Sequence, residues 1–181
     1  MSPFDFAFTL FGLLLGLSLA EIFGGFARAL RGRRKTRIGW LSPMLALVMV
    51  VDLASHWLAA WNDRASIAIT FPTLLFGTAI AGLYYMAAAL VFPDDVGEWR
   101  DLDENYFNEK LWIVLAIQLS NTLFVIAEHI LHGHALPGVR FAAILALWLG
   151  SALALILARR RWLNAVLLLW YLQLYWLIHV I

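Results

Sequence analysis

Six apolar runs fill most of this chain, each long enough, or nearly so, to cross a hydrocarbon core of roughly 30 Å at about 1.5 Å per helical residue. They cover residues 6–27, 40–61, 67–92, 111–131, 139–158 and 162–181. Hydrocarbon offers backbone groups no hydrogen-bond partner, so such runs must satisfy their own peptide groups and become helices. The expected fold is therefore all-α: one transmembrane domain over residues 1–181, six transmembrane helices in a compact bundle, and an acidic connection over 93–110. Composition agrees, because 63% hydrophobic residues and a mean hydropathy of +0.81 exceed the apolar share of about 45–50% in soluble domains. The first run follows MSPFDF, which has no basic leader, and is too long for a signal-peptide core, so it reads as a retained span.

Basic residues set the expected orientation. The first connection carries Arg28, Arg31, Arg33, Arg34, Lys35 and Arg37, the third Arg100 and Lys110, and the fifth Arg159, Arg160 and Arg161. Six crossings put these eleven of the 13 basic residues on one side, against Arg64 and Arg140 on the other. The basic side reads as the cytoplasm of a bacterial inner (plasma) membrane, with both termini outside. The acidic connection is no objection, since Asp and Glu hardly affect insertion. It reads as a solvated loop with room for a short surface helix.

Within the fourth run, the stretch 118–134 departs most from a lipid-facing helix. Gln118, Asn121, Val125, Glu128, His129 and His132 fall within an arc of about 100° on one helical face, so that face must meet protein, water or a bound species. The second run and the residues just beyond its end place Asp52, Ser55, His56 and Asp63 within about 100°. Asp52 and His56 are one helical turn apart, a carboxylate–imidazole pair suited to a proton relay, a metal ligand with its support, or a structural hydrogen bond. The sixth run adds Asn164, Tyr171, Tyr175 and His179 on one face. Glu21, near the basic end of the first run, reads either as a partner for Arg28 or Arg31 or as part of a transport path. Small residues mark packing seams: Gly12 and Gly16 as a GxxxG, and Ala142, Ala146, Gly150, Ala154 and Ala158 at every fourth position of the fifth run.

On this topology all five histidines, His56, His129, His132, His134 and His179, lie toward the outer side, with Asp52 and Glu128 in the same half. The first expectation is a proton- or cation-linked transport protein or channel. Its ionisable vestibule near the outer leaflet leads toward Glu21 and uses Asp52, His56, Gln118, Asn121, Glu128, His129, His132, Tyr175 and His179. The second is an oxidoreductase-class centre, with haem b held by His56 and His129 or a divalent metal held by Asp52, His56, Glu128 and His132. The third is a structural or assembly subunit. Six spans leave little room for a private pore, so a homo-oligomer joined at the fifth run's small-residue face is expected, with the lipid bilayer, protons and small cations as partners. Basic residues confined to connections argue against nucleic acid, and the absence of Cys excludes disulfides and thiolate chemistry. No TVGYG filter, phosphate-binding loop, HExxH or GxSxG occurs.

Overall fold

The computed structural model describes residues 3–64, 68–132 and 138–180, with side chains over 4–64, 68–127 and 142–175. Among these residues it is all-helical: α1 (Pro3–Gly32), α2 (Leu41–Asn62), α3 (Phe71–Val91), α4 (Leu102–His132), α5 (Val139–Leu157) and α6 (Arg161–Val180), with a 3₁₀ turn at Val96–Glu98. Over their described residues, α1 to α4 are long and apolar enough to cross a membrane, while the apolar part of α5, Ala142–Leu157, is shorter.

Each helix follows one apolar run, and the ends move where polar residues offer backbone partners. α3 starts at Phe71, four residues later than the apolar run, because the Thr70 side chain accepts from the Thr73 N–H at 3.4 Å and Pro72 occupies the first turn. It stops before Pro93, which forces the preceding backbone to be extended. α4 starts at Leu102, nine residues before its apolar run, because the Asp101 carboxylate accepts from the Asp103 N–H at 3.0 Å. The expected connection over 93–110 is accordingly shorter, and its second half is helix.

α3 packs along both α1 and α4, α2 lies against α6, and α5 touches α4 and α6. Buried Leu15, Ile22, Leu45, Met49, Tyr84 and Leu168 belong to one apolar core. Only part of the expected small-residue packing occurs within the protomer. A Cβ on Gly12 would lie 3.1 Å from the Trp57 ring of α2, whereas Gly16 and Gly150 have nothing within 4 Å. Gly25 is tighter, with Phe92 at 2.8 Å from such a Cβ. Ala142, Ala146, Gly150 and Ala154 are exposed on the outside of α5.

The α1–α2, α3–α4 and α5–α6 connections meet at one end, and the first turns of α4 tie them together. Asp103 accepts from the N–H groups of Trp40 and Leu41 at 3.1 and 3.0 Å, capping α2. The chain reaches that cap through Gly39, at φ +67°, where a Cβ would overlap the Asp103 carboxylate. Both the backbone conformation and the space therefore require glycine. Asn105 donates to the Val91 carbonyl at the end of α3, at 3.4 Å. The buried Lys110 ammonium donates to the carbonyls of Leu155 and Ala158 at the end of α5, where the helix dipole favours a cation. Asn164 of α6 completes this knot, accepting from the Tyr106 hydroxyl at 2.9 Å and donating to Arg160 O at 2.8 Å. Replacing Lys110 by Met removes a charged donor from buried acceptors and is expected to cost about 2 kcal/mol. Thermal unfolding in detergent checks this, with a fall in melting temperature expected.

Arg161, at the start of α6, binds Asp101 at 2.7 Å and Asp103 at 3.3 Å. Burial pushes the Asp101 carboxyl up, but the Asp103 N–H and the Arg161 guanidinium outweigh it and hold it below the ordinary value of 3.8. A depressed folded pKa contributes stability that is present above the unfolded value and lost as pH falls through the folded one. Melting temperature measured against pH should therefore show an acid limb below about pH 4, and Arg161→Gln should flatten that limb.

Candidate functional site

At the level of Asp52, midway along α2, polar side chains of α2, α4 and α6 converge on a cleft of about 280 Å³ whose remaining wall is α5. Helical spacing explains the convergence: Asp52, Ser55 and His56 share one face of α2, and Gln118, Asn121 and Val125 share one face of α4. Asp52 is 2% exposed and His56 5% exposed. Asp52 accepts from the Asn121 amide at 3.2 Å. His56 Nδ1 lies 3.0 Å from the Asp52 carbonyl oxygen and 3.4 Å from its carboxylate Oδ1. A carbonyl only accepts, so Nδ1 carries hydrogen in this bond and Nε2 is the imidazole position that can take up a further proton. The imidazole is held edge-on by Tyr84 of α3 and Phe124 of α4, at ring-centroid distances of 5.2 and 4.6 Å. Buried Tyr175 presents its hydroxyl to Asp52 and Asn121.

A second set of hydrogen bonds fixes the wall on α5. The Trp148 indole donates to Gln118 Oε1 at 2.7 Å, the Gln118 amide donates to the Tyr171 hydroxyl at 3.2 Å, and that hydroxyl donates to the Trp148 carbonyl at 3.3 Å. These bonds tie α4, α5 and α6 together at the cleft. Ser55 and Thr122 donate to carbonyls one turn back on their own helices, so their lone pairs rather than their hydrogens face the cleft.

The cleft thus unites Asp52, His56, Gln118, Asn121 and Tyr175 of the residues expected from the sequence. Glu21 does not join them. It pairs with Arg28 at 2.8 Å, two turns on along α1, and both side chains are partly exposed. Its distance in sequence from Arg28 is two helical turns, so the arginine reaches it directly, which is the simpler of its two expected roles. The side chains of Glu128, His129, His132 and His179, and all of His134, lie outside the described residues. So do the second histidine of the haem alternative and two of the four donors of the metal alternative. Among the described residues no three His, Asp or Glu side chains are gathered as metal donors. Sequence reasoning missed Trp148 and the clamp on His56 by Tyr84 and Phe124. Trp148 carried a signal, because a tryptophan in the middle of an apolar run is far from the interface where that residue usually anchors.

Compared with models of protein families, with curated proteins and with solved structures, the chain matches none.

Proposed function

We propose that this chain is a small membrane transport protein, linked to protons or small cations, whose exchange site is the Asp52–His56 pair. One observation carries the reading. Asp52 is a buried carboxylate midway along an apolar helix, it borders a cleft, and the cationic partner in contact with it among the described residues is a histidine. A permanent partner such as arginine would lock the charge, whereas imidazole changes charge near neutral pH. With one mobile proton the pair is neutral, and without it the pair carries one negative charge that a cation can replace. A carboxylate at that depth with neither proton nor cation is costly, which makes occupancy obligatory and exchange the natural chemistry.

The protein crosses the membrane six times in this reading. The connections that meet through Arg37, Asp101, Asp103 and Arg161 are the cytoplasmic ones, because that end holds eleven of the 13 basic residues, and both termini face outward. The exposed face of Ala142, Ala146, Gly150 and Ala154 is the contact between copies in a homo-oligomer. Proteoliposomes with an internal pH-sensitive dye provide the test. Under an imposed gradient they are expected to pass protons, or a cation in exchange for protons, faster than empty liposomes. Rates no greater than those of empty liposomes, at both acid and neutral pH, would count against transport.

A further inference from the structure

We propose that the cation taken by this cleft is a lipophilic ammonium, its charge against Asp52 and its apolar body against Trp148, Phe124 and the aliphatic wall of α5. The inference rests on reading the cleft as a cation site and adds the chemical class of the ligand. Size is the first argument. A volume of about 280 Å³ lies close to the lower bound of roughly 300 Å³ for small-molecule pockets and far exceeds a bare ion. Ligand count is the second. A dehydrated alkali or alkaline-earth ion asks for about six oxygen ligands, often several of them carboxylate, whereas of the residues that line this cleft with side-chain oxygens, Asp52, Ser55, Gln118, Asn121, Thr122 and Tyr175, Asp52 alone is a carboxylate. Gln118 Oε1 already accepts from Trp148, and Asp52 already accepts from Asn121.

The rest of the lining suits an organic body. Trp148 and Tyr175 stand perpendicular, with centroids 4.9 Å apart and an interplanar angle of 89°, and form a corner of two aromatic walls. Aromatic faces attract ammonium groups, most strongly where water is excluded. Ile144, Leu145 and Leu149 of α5 line the cleft and are also exposed on the outside of the bundle. The apolar wall therefore borders the bilayer, the phase into which a lipophilic cation partitions. A hydrated inorganic ion would meet the same wall without compensation.

Calorimetric titration of the purified protein tests this with benzyltrimethylammonium, its uncharged carbon isostere neopentylbenzene, and sodium chloride. Saturable binding of the ammonium is expected, at least about tenfold tighter than the isostere, with Asp52→Asn and Trp148→Leu each weakening it by about tenfold or more. Equal binding of the isostere, or binding of sodium in preference to the ammonium, would overturn the proposal. The charged-against-neutral comparison uses the unaltered protein, so it decides the matter even where a variant fails to fold. Proton flux without ammonium binding would overturn this inference and leave transport standing. Ammonium binding without flux would support the ligand class and remove transport.

Discussion

Asp52→Asn is expected to lower proton-coupled flux in proteoliposomes by about a hundredfold, within the range for removal of a positioned proton-transfer group. Asparagine matches the carboxylate in size, so the packing around α2 survives, but it can neither hold a proton nor balance a cation. The hydrogen bond from Asn121 has an acceptor in either residue, since the side-chain carbonyl of asparagine replaces Oδ2. Folding is therefore expected to persist, with a melting temperature close to that of the unaltered protein. His56→Gln should lower the flux less and shift its pH dependence, because it removes the titrating partner and leaves the carboxylate. A variant that loses stability and flux in parallel would instead mark Asp52 as an interhelical hydrogen-bond acceptor with no part in transport.

The largest effect on folding is expected at Asp103. Asp103→Ala removes the acceptor for the N–H groups of Trp40 and Leu41 at the start of α2 and one of the carboxylates held by Arg161, and is expected to destabilise by roughly 3 kcal/mol. Asp103→Asn keeps an acceptor for the cap and loses the charge, so its cost should be about half as large. Thermal unfolding in detergent measures both. The graded order, with alanine worse than asparagine, separates the contribution of the cap from that of the ion pair. An alanine variant as stable as the parent would show that the α2 N-terminus finds other partners.

The legible part of the fold was the part that hydrocarbon dictates. Runs of apolar residues must be helices, and each of the six became one. The helical period also brought Asp52 and His56 onto one face, and Gln118 and Asn121 onto another, facing the same cleft. What stayed hidden depends on residues distant in sequence. Lys110 reads as a basic residue in an acidic connection, and only the fold brings it to the end of α5, 45 residues on at Leu155. Asp101 and Asp103 look like solvated charges until Arg161, about 60 residues later, lies against them. The short-range signals of capping were present in that segment and were outweighed by its charge. Trp148 was masked in a similar way, because the small residues at every fourth position of α5 mark its outer face while its inner face carries the indole.

The central claim is that the Asp52–His56 pair is the exchange site for a cation within the bilayer, and infrared difference spectroscopy of the protein in lipid measures this most directly. Adding the cation at constant pH is expected to change the side-chain carboxyl bands, with the change absent from Asp52→Asn. A difference spectrum identical in the parent protein and in Asp52→Asn would contradict the claim.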